Sequence, residues 1–91
     1  MTGFGYMVFV SGLEIEDAAC FCDADVKDIE AWCKGEKEIP ADKLAIITER
    51  CAVDDDLLKR PAVTLNMYEE CRLFTAGVMI GTLLKKDIVR I

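Results

Sequence analysis

The five cysteines carry the most reactive side chains of this chain, and their spacing decides whether they can hold a metal ion. Cys20 and Cys22 are close in sequence, but helical residues two apart point about 200° apart, so the pair cannot ligate one tetrahedral zinc ion. The chain has no histidine and no Cys-x-x-Cys pair. We therefore expect no metal site. Most of the thiols are better interpreted as small apolar core groups, namely Cys22, Cys33, Cys51 and Cys71.

The composition also offers little for catalysis. General acid–base catalysis usually depends on a poised histidine or a buried carboxylate, whereas the carboxylates here occur in runs typical of solvated surface, such as residues 54–56. Ser11 is the only serine and has no basic residue near it in sequence. The glycine-containing segments match no phosphate-binding loop. The sequence therefore predicts a protein that is not an enzyme and that carries no cofactor.

Charge and size restrict the partners. The chain has 17 acidic and 11 basic side chains, and its net charge of −6 repels phosphate at long range. Its 91 residues form a single domain, residues 1–91. A hydrophobic share of 53% is high for this size and predicts a surface for a protein partner; the alternative is that all of it packs in the core. The odd number of cysteines, and a start without a basic stretch, predict a cytoplasmic protein with reduced thiols.

The residues above must be positioned by elements that are mainly helical, with two exceptions at the ends. Gly3–Val10 is rich in β-branched and aromatic residues, which favours a short strand or an extended arm. Residues 87–91 are predicted as a short terminal strand that pairs with residues 6–10. The fold class expected is a mainly α helix-turn-helix bundle with these two short strands.

Two helices are predicted in the first half of the chain by apolar residues at helical spacing. They cover residues 14–22 and residues 26–34, and residues 23–25 form the turn between them. Acidic residues favour the start of the first helix. Asp25 is placed to cap the second helix, and Gly35 is placed to end it.

Residues 15–34 have the pattern of a helix-turn-helix motif. In this motif two helices cross closely, so certain positions must be apolar and one must be small. The residues that occupy these positions are Ala18, Ala19, Cys22, Ala24, Ile29 and Trp32. Asp23 falls in the turn, where a left-handed backbone is needed and aspartate is tolerated better than most residues. With a third helix that begins at residues 40–42, the motif core spans about residues 13–52.

A short helix is predicted to start at residues 54–56 and to end near Pro61. The last helix, predicted over residues 64–85, carries two adjacent apolar stripes. We expect one stripe to cover the helix-turn-helix core and the other to pack on a second subunit; the alternative is that both stripes are core. The first stripe consists of Met67, Cys71, Phe74 and Val78. The homodimer interface is expected at Leu73, Gly77, Ile80, Gly81 and Leu84. The apolar run is shorter than the ~20 residues of a membrane span, so no membrane is expected.

Residues 13–40 resemble small helix-turn-helix proteins of phages and other mobile elements. The shared features are an alanine pair, a turn, an aliphatic–aromatic pair (here Ile29 and Trp32), and then a glycine and an isoleucine–proline. The relatives are Cro- or repressor-like in fold. The resemblance implies a DNA-binding regulator, which reads the major groove with its second helix.

The outward face of that second helix departs from the family. A groove-reading helix typically presents Arg, Lys, Asn, Gln, Ser or Thr. The outward residues here are Asp25, Lys27, Asp28, Glu30, Ala31 and Lys34, three acids against two bases. The scaffold is therefore kept while the chemistry of groove recognition is lost.

Two functions remain open. In the preferred one, the acidic face of Asp25, Asp28 and Glu30 binds a host protein, and the chain is a phage-type inhibitor or modulator of a host complex, an anti-CRISPR-like factor. In the alternative, the chain is a transcriptional regulator that contacts DNA through Lys27, Ala31, Lys34 and Lys37. A regulator could also use a basic cluster formed elsewhere, drawn from Lys43, Arg50, Lys59, Arg60, Arg72, Lys85, Lys86 and Arg90.

Overall fold

The first helix, α1, covers Gly3–Val10 and packs against several of the other helices. In this computed structural model, which describes residues 1–89 and their side chains to residue 84, Thr2 caps α1 by accepting a hydrogen bond from the Gly5 N–H at 3.2 Å. The strand predicted here is wrong. Because α1 is buried on several sides, its sequence is apolar throughout, and such a run does not separate a buried helix from a strand.

The other regular elements of the described chain are also helices. The single contact of strand type is an isolated bridge between Thr2 and Pro61. The prediction of a terminal strand is wrong as well, because residues 87–89 belong to the last helix. Residues 90–91 lie outside the described residues. The remaining elements are α2 (Ile15–Cys22), α3 (Val26–Lys34), α4 (Ala41–Cys51), α5 (Asp55–Lys59), a 3₁₀ turn (Ala62–Thr64) and α6 (Met67–Val89).

Glycines bring the helices into backbone contact around α1. A methyl group added at Gly5 would lie 2.6 Å from the Cys33 carbonyl oxygen at the end of α3. At Gly3 it would collide with the Leu57 carbonyl group of α5. Three helices therefore enclose α1 at distances that no larger side chain would permit, since Gly77 brings α6 equally close.

The core is built around α1, α3 and α6. The Phe4 ring meets the Trp32 indole edge-on, with ring centroids 5.9 Å apart and planes at 76°. Leu73, Ala76 and Ile80 are the residues of α6 that face this core and are buried in it. Burial of these large apolar groups supplies most of the driving force for folding.

Several residues predicted as a subunit interface are packed inside the chain instead. Leu73, Gly77 and Ile80 are buried, and a methyl group added at Gly77 would lie 2.6 Å from the Met7 carbonyl oxygen. Gly81 and Leu84 are half-buried. The close approach that Gly77 permits is therefore made by α1 of the same chain.

None of the described helices combines the length and the apolar content that crossing a membrane requires.

Candidate functional site

The α2–α3 pair has the tight turn that the sequence predicts. Asp23 ends α2 in the left-handed region, at φ 53° and ψ 55°, which confirms its expected backbone conformation. The Ala24 N–H donates to the Ala19 carbonyl oxygen at 3.0 Å, which closes the end of α2. The Lys43 ammonium group donates to the Asp23 carbonyl oxygen at 2.6 Å, so α4 also holds the turn.

The helices of the pair cross through small and apolar side chains. Ala19, at the position where only a small residue permits close approach, is buried. Ile29 and Trp32 face inward from α3, where Thr2 also donates to the Trp32 carbonyl oxygen at 2.8 Å. Five of the six residues expected at the crossing are buried, namely Ala18, Ala19, Cys22, Ile29 and Trp32, whereas Ala24 is half-buried.

One outward stripe of α3 carries both lysines of the helix. Lys27 and Lys34 are exposed, and Glu30 lies between them at spacings of three and four residues. Ala31 is half-buried beside them. This stripe keeps a net positive charge of one, because the carboxylate offsets one of the two ammonium groups.

The three acids of α3 do not form one face. Asp28 and Glu30 are two residues apart and so point about 200° apart around the helix. Asp28 lies 3.3 Å from the Lys37 ammonium group, which pairs Lys37 with an acid on the flank away from Lys27 and Lys34. The acidic face expected from Asp25, Asp28 and Glu30 is therefore divided, and so is the basic set expected from Lys27, Lys34 and Lys37.

Asp25 and Asp28 instead meet the turn residue Asp23 at a cleft between α3 and the start of α4. The cleft has a volume of about 340 Å³, and the Trp32 side chain forms part of its wall. Lys43 is the base that lines it, 3.9 Å from an Asp23 carboxylate oxygen. We call this site the acidic cleft; its lining is Asp23, Ala24, Asp25, Asp28, Trp32, Pro40 and Lys43.

The Asp25 carboxylate does not have the capping role expected of it. Asp25 occupies the N-cap position of α3, but its side chain makes no cap hydrogen bond. Its carbonyl oxygen accepts from the N–H groups of Asp28 and Ile29 instead. The carboxylate is exposed at the rim of the acidic cleft, where it can accept hydrogen bonds from another molecule.

The outward face of α2 extends the negative charge. Its exposed residues are Glu14 at the N-cap, Glu16, Asp17 and Cys20, which amount to three acids and no base. Carboxylates are stabilised at this end of a helix by its macrodipole. In a DNA-bound helix-turn-helix protein the first helix crosses the phosphate backbone, so acids here oppose that contact.

Of the bases proposed for a separate DNA surface, Lys43, Arg60 and Arg72 contact other groups of the chain, whereas Arg50 and Lys59 are exposed. Arg60 pairs with Glu69 at 2.7 Å and with Asp56 at 3.3 Å. Arg72 donates to the Ala52 carbonyl oxygen at 2.6 Å and lies over the Tyr68 ring. The side chains of Lys85, Lys86 and Arg90 lie outside the described residues.

The thiols divide into buried and exposed groups. Burial raises the pKa of Cys22 to about 12 and that of Cys33 to about 11, and it raises the pKa of Cys51 as well. Cys20 and Cys71 are exposed, so the expectation that Cys71 is a core residue is wrong. Within the described side chains, no three acids or thiols are grouped in a way that could hold a metal ion.

Comparison of the chain with protein-family models, with curated proteins and with solved structures finds no match.

Sequence reasoning missed two residues of the acidic cleft. Asp23 and Lys43 belong to the acidic cleft but lie 20 positions apart, and only the docking of α4 brings them together. The aspartates on both sides of Ala24 were a usable signal, because a tight turn places its flanking residues near each other.

Proposed function

We propose that this protein has a helix-turn-helix fold and acts by binding another protein, as an inhibitor or modulator of a host complex, without a catalytic step or a cofactor. The observation that carries this proposal is the convergence of Asp23, Asp25 and Asp28 on one cleft. The close crossing at Ala19 and the left-handed turn at Asp23 support the helix-turn-helix assignment.

The chemistry of the acidic cleft suits a basic side chain of a partner. An arginine or lysine that enters the cleft would form charge-assisted hydrogen bonds with Asp25, which are roughly twice as strong as neutral ones, and would compete with Lys37 for Asp28. The acids of α2 add a longer-range field that steers a basic surface toward the cleft. Such steering raises the association rate more than it raises the affinity.

DNA binding is the second candidate, and one observation favours it. Lys27 and Lys34 are both exposed on one stripe of α3, where a groove-reading helix carries its contacts. Glu30 lies between them, however, and the acids of α2 stand where phosphate contacts are expected. Protein binding therefore has the better electrostatic support.

The first experiment compares two variants with the same change of charge. The cleft variant combines Asp23→Asn, Asp25→Asn and Asp28→Asn, because asparagine keeps the shape of aspartate and tolerates the left-handed turn. The control variant combines Glu49→Gln, Asp54→Asn and Asp55→Asn, which are exposed and do not line the acidic cleft. Each immobilised protein is used to capture partners from host cells, and captured proteins are identified by mass spectrometry.

A partner captured by the wild type and the control, but lost with the cleft variant, supports the proposal. Its association rate is expected to fall in the cleft variant and at high salt. Equal capture by all three proteins would contradict a role for the acidic cleft.

A DNA titration decides between the two candidates. Duplex DNA from the protein's own operon is expected to bind no tighter than about 10⁻⁴ M at physiological salt, the weak end of non-specific binding. Nanomolar, sequence-selective binding that Lys27→Ala or Lys34→Ala removes would establish a DNA-binding regulator instead.

A further inference from the structure

The solvent side of α6 carries no charge over four helical turns. The charged residues of the same segment, Glu69, Glu70 and Arg72, are half-buried at its flanks. We call the uncharged surface the outer face of α6; its residues, all exposed, are Met67, Tyr68, Cys71, Phe74, Thr75, Val78, Met79 and Thr82. At 1.5 Å per residue this face is about 22 Å long.

The end of α1 widens the outer face. Tyr6 lines a cleft together with Met67, Cys71 and Phe74, so α1 and the outer face meet there; Glu70, at the flank of the outer face, also lines this cleft. Val10 follows Tyr6 by one helical turn and is exposed, as is Phe9. Phe9 and Val10 therefore add exposed apolar side chains on the helix that packs against α6.

The area of this surface is in the range that a stable interface needs. Seven large apolar residues of the outer face and the end of α1 are 39 to 79% exposed: Phe9, Val10, Met67, Tyr68, Phe74, Val78 and Met79. Since a whole aromatic side chain offers roughly 200 Å², they present about 700 Å², close to the ~800 Å² per partner of a standard interface. Monomers rarely expose an apolar patch of this size.

We infer that the outer face of α6 binds a second copy of this chain and forms a symmetric dimer. The charge distribution selects this occupant. A net charge of −6 opposes contact between two copies, whereas the outer face brings no like charges together because it has none. In a two-fold interface each copy contributes the same patch, so an uncharged stripe is complementary to itself.

The geometry of the face places the two-fold axis near its middle. Phe74 and Thr75 lie halfway along the stripe, so two crossing α6 helices meet there. None of the outer-face residues lines the acidic cleft, so the acidic clefts of both copies stay open in the dimer. The inference of a dimer can therefore be tested independently of the proposed function.

The test is sedimentation velocity of the full chain between about 1 and 100 μM, the range that separates weak contacts from stable ones. All samples contain a reducing agent, so that a disulfide through Cys20 or Cys71 cannot mimic the dimer. The wild type is expected to sediment as a dimer. Val78→Glu places a carboxylate in the interface and should raise the dimer dissociation constant at least about 30-fold.

Val26→Glu is the matched control. Val26 lies on α3 and is 37% exposed, against 44% for Val78, so both substitutions put the same charge on a similarly exposed helical valine. The control is expected to remain a dimer. If circular dichroism shows that Val78→Glu does not fold, Phe74→Glu takes its place, since Phe74 is equally exposed.

Two outcomes overturn the inference. If the wild-type protein stays monomeric at about 100 μM, the highest concentration of the series, the outer face does not bind a second copy of the chain. A dimer that persists in a folded Val78→Glu protein, or in the Phe74→Glu protein that replaces it, is held by another surface.

Discussion

Helices α1 and α3 are of similar length, but they are held in the fold by different means. In addition to its buried side chains, α1 is fixed by backbone contact, with glycines where neighbouring helices approach it. α3 is fixed by side-chain volume, with Ile29 and Trp32 inserted into the core. The two helices are therefore expected to differ in the substitutions that destabilise them. Around α1 a larger side chain at a glycine is destabilising, whereas in α3 a smaller side chain at Ile29 or Trp32 is destabilising.

The two helices are linked by a ring contact in the core and by a backbone hydrogen bond just before the start of α1. The Phe4 ring of α1 contacts the Trp32 indole of α3, and the Thr2 N–H donates to the Cys33 carbonyl oxygen at 2.9 Å. A change at Trp32 is therefore expected to reach α1 as well.

The largest effect is expected from Trp32→Ala. Removing a buried aromatic side chain costs about 3–5 kcal/mol, since packing is lost and a cavity remains. For a domain of this size that is a large fraction of the total stability. Thermal unfolding followed by circular dichroism measures it, and Phe21→Ala, at a half-buried position of α2, is the milder comparison. A Trp32→Ala protein that melts like the wild type would show that side-chain volume does not hold α3.

A smaller effect of opposite origin is expected from Gly77→Ala. The added methyl group meets the Met7 carbonyl oxygen at 2.6 Å and contacts the Ser11 side chain, so α1 must shift. Overpacking of this kind costs about 1–3 kcal/mol.

Gly81→Ala in the same helix is the control for that experiment. A methyl group there meets only the Leu13 side chain, at 3.9 Å. Because alanine favours a helix over glycine, this variant should gain up to about 1 kcal/mol. Equal melting temperatures for the two variants would contradict the backbone-contact account of α1.

The smallest effect is expected at the ion pair between Arg60 and Glu69, which lies next to the start of α1. The Arg60 carbonyl oxygen accepts from the Gly3 N–H at 2.8 Å, and its guanidinium group binds both Glu69 oxygens, at 2.7 and 2.9 Å. The hydrogen bonds from Arg60 lower the pKa of Glu69 in the folded protein. The pair therefore stabilises the fold above the pKa of Glu69 in the unfolded chain, and this contribution is lost as the pH falls through the lowered folded pKa.

Glu69→Gln should accordingly melt below the wild type at neutral pH, and the difference should shrink as the pH is lowered into the acid range. Glu70→Gln, one position along, should change the melting temperature less and with no such convergence. A difference between wild type and Glu69→Gln that is the same at every pH would exclude the ion pair as its source.

The sequence was most informative where one face of a helix is solvated. In α2 and α3, charged residues alternate with apolar ones at helical spacing, and Asp23 and Gly35 mark the ends; the observed bounds lie within one residue of the expected ones. The acidic cleft was only half predictable. The sequence correctly predicts that Asp25 and Asp28 share one surface. It also groups Glu30 with them, because it does not show which flank of α3 is covered by α4.

The sequence was least informative where burial is complete. α1 has no polar side to reveal its period, so its aromatic and β-branched residues were interpreted as a strand. In α6, two apolar stripes of similar composition compete for the core. Gly77 packs against Met7, which is distant in sequence, so the stripe of Leu73, Gly77 and Ile80 faces the core. The sequence-based expectation of a subunit interface on that stripe is therefore wrong.

The contact between Met7 and Gly77 also has a consequence for the order of folding. The two residues are separated by most of the chain, so the loop between them must close before α1 gains its main partner. Helical proteins usually fold fast because their contacts are local; this one is expected to be slow for its class. During synthesis α1 precedes α6, and until α6 arrives its apolar circumference remains without cover, as a transient target for chaperones or for aggregation.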